Sequence, residues 1–157
     1  MKIKLLVVGQ TSMKFAEQGF NEFTSRIKHY SDFEFVVIVN PKNSGRLDSA
    51  ELKNKEAENI LAKIQPQDFV VLLDEKGAEF SSVEFSAFLQ KRMNSGVKNL
   101  VFVVGGAFGF SEKMYERANS KLSLSKMTFS HQLIRLIFAE QLYRAFTILR
   151  NEKYHNE

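Results

Sequence analysis

Two five-residue runs, 69–73 (Phe-Val-Val-Leu-Leu) and 100–104 (Leu-Val-Phe-Val-Val), are apolar at every position. A strand with one wet face alternates apolar and polar residues. An unbroken run therefore implies a strand buried on both faces, as in a parallel sheet covered by helices on each side. Residues 2–8 read the same way and end at Gly9, while residues 33–39, rich in β-branched side chains, end at Asn40-Pro41. Helical patterns separate these strands. Residues 12–29 put Phe15, Gly19, Phe20, Phe23 and Ile27 on one face. A second helix runs from an Asp48 cap to about residue 64, with Leu52, Glu56, Asn59 and Lys63 interleaving charges on its face. A third starts at Ser81 or Ser82. After the fourth strand, Ser111 caps a short helix, 122–125 reads as a short alternating strand, and 131–150 is the longest amphipathic helix. Alternating strands and helices predict an α/β fold with a parallel sheet flanked by helices, in a single domain over residues 1–157.

Several classes drop out. Five-residue apolar runs are far too short to cross a bilayer, and no Ala-x-Ala cleavage site follows the start, so neither a membrane partner nor a secretory signal is expected. The chain has no cysteine, which excludes disulfides, Cys-ligated zinc and a Cys nucleophile and fits a cytoplasmic home. His29, His131 and His155 have no ligand-like spacing, so no metal is expected. The net charge is +4, and residues 111–157 hold most of it, with 8 basic against 5 acidic residues. That mild basicity is compatible with a polyanionic partner.

Three segments carry candidate chemistry. Gly105-Gly106-Ala107-Phe108-Gly109 follows a buried strand, and its glycines allow close backbone approach to a ligand. It lacks the dinucleotide fingerprint and the Walker loop, so locally it reads as either a ligand loop or a tight turn. The connector Leu124-Ser125-Lys126-Met127-Thr128-Phe129-Ser130-His131 could line an adenine slot, or simply join the last strand to the last helix with Ser130 as its cap. The last helix is apolar around more than half its circumference, which suggests packing against a second subunit. Arg144 lies four residues after Glu140 on it and could simply pair there. Asp74-Glu75-Lys76-Gly77 reads as a solvated turn.

In this order the motifs Leu72-Leu73-Asp74 with Gly77, Val104-Gly105-Gly106-Ala107-Phe108-Gly109, Leu124-Ser125 through Thr128-Phe129-Ser130-His131, Glu140-Gln141-Leu142-Tyr143-Arg144-Ala145 and Tyr154-His155-Asn156-Glu157 closely resemble the RlmH family. Leu5-Leu6-Val7-Val8-Gly9-Gln10 and Lys55-Glu56-Ala57-Glu58 are similar to it as well, so the resemblance covers essentially the whole chain. These are small bacterial methyltransferases acting on N3 of a pseudouridine in large-subunit ribosomal RNA. The resemblance implies a SPOUT-type fold with a C-terminal trefoil knot, against the general rule that chains avoid threading. It implies a homodimer with S-adenosylmethionine held at the subunit interface, touching Leu73, Gly105 and the loop Leu124, Ser125, Lys126, Met127, Thr128 and Phe129. Two departures stand out: Ala107 replaces a frequent proline, and Asn156 replaces a common basic tail residue.

The expected reaction on assembled ribosomes is methyl transfer to an imide nitrogen, which needs alignment and loss of a proton. His131 is the candidate for proton handling, and Arg144 for stabilising the anion or gripping phosphate. Tyr154 and His155 would close the site. Alternatives are a SPOUT methyltransferase acting on tRNA, and a non-enzymatic ribosome- or nucleotide-binding module.

Overall fold

The structure, a computed structural model, describes residues 1–156. The elements run β1 (Lys2–Val8), α1 (Lys14–Ile27), β2 (Phe33–Ile38), a 3-10 turn (Ser44–Arg46), α2 (Ser49–Leu61), β3 (Phe69–Glu79), α3 (Ser82–Asn94), β4 (Asn99–Val104), α4 (Glu112–Arg117), β5 (Ser120–Ser123) and α5 (Leu133–Leu149). The five strands form one sheet in the order β2-β1-β4-β3-β5, and every pairing is parallel.

The unbroken apolar runs follow from two cores, one on each side of that sheet. Because side chains alternate along a strand, Leu100, Phe102 and Val104 face one side with Ile3, Leu5 and Val7. There they meet Phe20, Phe85, Phe138 and Leu142 from α1, α3 and α5. Val101 and Val103 face the other side with Leu6, Val8, Val70 and Leu72, against Ala57 and Ile60 of α2 and Met114 of α4. Phe102 and Phe138 are fully buried with ring centroids 4.7 Å apart. Each such side chain contributes about 1.5–3 kcal/mol of burial free energy.

Two helices start where local chemistry dictates. Asp48 Oδ1 accepts the Glu51 N–H at 2.8 Å, while Glu51 Oε2 accepts the Asp48 N–H at 3.2 Å. Ser81 and Glu84 form the same reciprocal box at α3. Each box satisfies two otherwise orphaned N–H groups.

Elsewhere the structure corrects the sequence reading. In α1 the buried face is Ala16, Phe20, Thr24 and Ile27, and Phe15 is 61% exposed. Residues 74–77 do not end the third strand. After a bulge past Leu73, β3 continues to Glu79 and pairs again with β5, Ala78 opposite Leu122 and Glu79 opposite Ser123. The last strand lies at Ser120–Ser123 rather than 122–125, because pairing to β3 sets its register. His131 precedes α5 in a turn instead of opening the helix.

Candidate functional site

Ligands in parallel α/β sheets bind beyond the carboxyl ends of the strands, where connecting loops diverge. Here β4, β3 and β5 are neighbours, and the loops leaving them enclose a cavity of about 930 Å³. Leu73, Gly105, Leu124, Ser125, Met127, Thr128, Phe129 and His131 all line it, and Lys126, expected among them, does not. The glycine loop and the connector, about twenty residues apart in sequence, thus share one wall.

Each loop is held locally. The Gly109 N–H donates to the Gly106 carbonyl at 3.1 Å, and Gly109 turns the chain with φ +79°. A side chain at Gly105 would crowd Phe110 Cε1 at 3.2 Å and the Gly109 carbonyl at 3.3 Å. In the connector, Ser123 Oγ donates to the Ser125 carbonyl at 2.8 Å, and Ser125 Oγ accepts the Met127 N–H at 2.9 Å. Thr128 Oγ1 donates to Glu75 Oε2 at 3.2 Å, fastening the connector to the β3 extension. Asp74 accepts the Lys76 N–H at 2.8 Å and the Tyr115 hydroxyl, whose pKa is pushed up by burial first and by this bond second. Phe108 and Met127 stand 59% and 77% exposed, two apolar side chains from two wall segments.

His131 is fixed through its backbone. The guanidinium of Arg135, 1% exposed, donates to the His131 carbonyl at 3.0 Å, to Gly9 O and Thr11 Oγ1 at 2.9 and 2.8 Å, and to Val8 O at 2.8 Å. All four acceptors are neutral oxygens. Gln132 adds a second tie, its Oε1 accepting the Ser12 and Met13 N–H groups at 2.9 Å. Burial first, and the Arg135 charge second, push the His131 pKa below the ordinary histidine value. The ring is therefore biased toward its neutral, proton-accepting form.

Arg144, Tyr154 and His155 come together, but away from this cavity. Glu140 Oε1 accepts from Arg144 Nη2 at 2.6 Å, Arg144 Nε at 3.1 Å and the Tyr154 hydroxyl at 3.0 Å. Arg144 Nη1 lies 3.3 Å from His155 Nδ1, and its guanidinium sits 4.8 Å from the Tyr154 ring centroid. The pair with Glu140 foreseen for Arg144 forms, and it doubles as the anchor of the tail. Ile134 lines the cavity, and Arg144 lies further along the same helix, about 15 Å away by helical rise. Within one chain the two groups of candidate residues do not meet.

Sequence reasoning gave no site role to Glu56 or Arg135. Glu56 sits in a charge-rich helix that reads as solvated, yet it is 6% exposed behind Gly106. Arg135 falls within an otherwise apolar stretch of α5, and that isolation was the available signal. Among the described residues no acid or histidine cluster is arranged to hold a metal, and no helix is long and apolar enough to cross a membrane.

Comparison with known proteins agrees with this architecture. The family model described as "Predicted SPOUT methyltransferase" matches residues 1–155. A protein of Christiangramia forsetii named ribosomal RNA large subunit methyltransferase H is 56% identical over 156 residues, covering 99% of both chains. One of the same name from Parabacteroides distasonis is 55% identical over 157 residues, covering all of both. The solved structure of a probable methylase family protein from Haemophilus influenzae shares the fold at a TM-score of 0.52 and 13% identity, over 99% of this chain and 70% of that one. A full-length match at this identity, on a parallel sheet with its cavity beyond β3, β4 and β5, makes this chain a member of the SPOUT methyltransferase family.

Proposed function

We propose that this chain, as a single domain, methylates N3 of a pseudouridine in large-subunit ribosomal RNA with S-adenosylmethionine as donor. The carrying observation is the cavity built jointly by the glycine loop and the 124–131 connector, in a chain more than half identical to large-subunit ribosomal RNA methyltransferases.

The residues present fit that donor. The cavity volume is in the range of cofactor sites. Gly105 leaves the backbone bare for close approach, and the wall combines apolar side chains with Asp74, Glu75, Glu112, Lys53 and Lys76, which suits a ligand that is part aromatic and part charged. Leu73, Gly105 and the 124–129 loop would hold it, with Lys126 outside the wall. When bound, S-adenosylmethionine supplies a methyl group activated by a cationic sulfur. His131 takes the imide proton as the nitrogen becomes a nucleophile, its lowered pKa keeping the ring neutral near pH 7. Arg144, whose charge Glu140 reinforces, stabilises the imide anion or grips a neighbouring phosphate, and Tyr154 and His155 cover the site.

The separation of His131 from Arg144 supports a homodimer in which the tail of one copy completes the cavity of the other. Leu133 and Ile137 of α5 are half-buried and outside both cores, and Phe15 is exposed on α1, so apolar surface is free for such a contact. The trefoil knot belongs to the same reading. So does a cytoplasmic site of action, where ribosomes assemble.

Labelled-methyl transfer to intact ribosomes from cells lacking this gene, followed by mass spectrometry of the modified nucleoside, tests the reading. Label in a methylated pseudouridine of large-subunit RNA is expected. Label in tRNA, equal labelling of a short free hairpin, or S-adenosylmethionine binding without transfer would each refute part of it.

A further inference from the structure

Glu56 lies on the α2 face turned toward the glycine loop, and at 6% exposure it is the most buried carboxylate on that helix. An ideal Cβ on Gly106 would fall 2.5 and 2.7 Å from its two oxygens. The carboxylate thus rests directly on this glycine. Gly106 does not have a positive φ, so the position requires glycine for the space beneath Glu56 rather than for backbone freedom. Burial raises the Glu56 pKa, and the main-chain N–H of Gly106, which faces the carboxylate, opposes that rise. A carboxylate that gives up most of its hydration for one peptide N–H is a costly way to cap a loop. That cost points to a requirement on the peptide it grips.

A trans peptide directs its N–H and its C=O to opposite sides. With the Gly106 N–H turned to α2, the Gly105 carbonyl turns away from α2, and both glycines line the cavity while Glu56 does not. We propose that Glu56 is a positioning residue, setting the Gly105–Gly106 peptide so that the Gly105 carbonyl faces the cavity and accepts a hydrogen bond from an N–H group of the methyl donor. This rests on the cofactor reading above. The carbonyl of Gly106 is already engaged by the Gly109 N–H, which locks the peptide on the far side of the turn. Glu56 supplies the matching lock on the near side, and Lys55-Glu56-Ala57-Glu58, singled out in the sequence, gains a function at its second residue.

The test uses the full-length protein, with titration calorimetry against S-adenosylmethionine and hydrogen exchange at the Gly106 amide. Glu56→Ala weakens binding about tenfold or more, and Gly106 exchanges about tenfold faster while the β4 amides stay protected. Glu56→Gln keeps an oxygen acceptor, so it holds affinity within about threefold and keeps Gly106 protected. Wild-type affinity in Glu56→Ala, or a Glu56→Gln variant as weak as Glu56→Ala, overturns the proposal. A wild-type protein that binds no S-adenosylmethionine sinks the cofactor reading instead, and the exchange arm still decides whether Glu56 grips Gly106. If Glu56→Ala does not fold, Glu56→Gln decides: a protected Gly106 amide supports the grip, and exchange tenfold faster than wild type overturns it.

Discussion

Replacing Gly77 by alanine adds one methyl group where the chain has no room for it. An ideal Cβ there lies 2.6 Å from the main-chain N and C of Leu122 and 2.7 Å from the carbonyl carbon of Lys121. Ordinary carbon contacts begin near 3.4 Å, so the overlap is about 0.8 Å on three backbone atoms. A flexible side chain could swing aside. Here the obstacle is strand β5 itself. The cheapest relief separates the second stretch of β3–β5 pairing, Ala78 with Leu122 and Glu79 with Ser123. Losing two ladder contacts and straining the bulge costs about 3 kcal/mol, or about 6–12 °C in Tm for a chain of this size. Urea unfolding of wild type and Gly77→Ala at equal protein concentration measures it, since any dimer makes stability concentration-dependent. Two companions calibrate the result. Gly19→Ala meets Leu136 Cδ1 at 2.7 Å, the far end of a flexible side chain, and should cost less. Gly45→Ala meets nothing within 4 Å at a negative φ, and should be neutral or slightly stabilising. A Gly77→Ala protein within about 0.5 kcal/mol of wild type would refute the claim that β3 lies tight against β5 beyond its bulge.

Arg135→Met removes four hydrogen bonds and strands the Val8, Gly9 and His131 carbonyls and Thr11 Oγ1; relief of the buried charge offsets part of that, leaving a loss of about 2–4 kcal/mol readable in the same unfolding assay. His131 titrates lower in the fold than in the open chain, so between its two pKa values the unfolded state binds more protons. Its stabilising contribution is complete above about pH 6.5 and is lost as pH falls through the lower folded value; a pH series comparing wild type with His131→Gln should lose that component in the variant. Glu140→Ala frees both Arg144 and Tyr154 from their shared carboxylate oxygen. Ribosome methylation should fall by at least about tenfold while calorimetric affinity for S-adenosylmethionine stays near wild type; equal loss of both would put the tail cluster at the cofactor instead.

Much of the fold was legible in order along the chain because it is written in local chemistry. The runs at 69–73 and 100–104 demanded two-sided burial, and Asp48 and the Ser81-Ser82 pair marked helix starts. The glycine loop and the 124–131 connector stood out as bare or small-residue segments after strands, and both became cavity walls. What periodicity could not carry was any contact between distant segments. Residues 74–77 have turn composition, yet pairing with β5 keeps them in a strand. Glu56 looks like one more solvated charge until α2 is laid against Gly106. Arg135 could be seen as an odd charge in an apolar helix, but three of its four oxygens come from Val8, Gly9 and Thr11, at the end of β1 and in the loop after it, more than 120 residues earlier.

The sequence by itself determined the layered α/β sheet, the family and the two loops of the cavity, since each depends on residues near one another in the chain. Only the tertiary structure decided the strand order, the continuation of β3 past its bulge, and the separation of His131 from Arg144 along α5. Those depend on register and helical rise, on distances between segments that hydrophobic patterning does not encode. A buried carboxylate beneath a glycine and a buried guanidinium among carbonyls belong to that second class. Both exist because packing brought a charge to backbone groups that had no other partner.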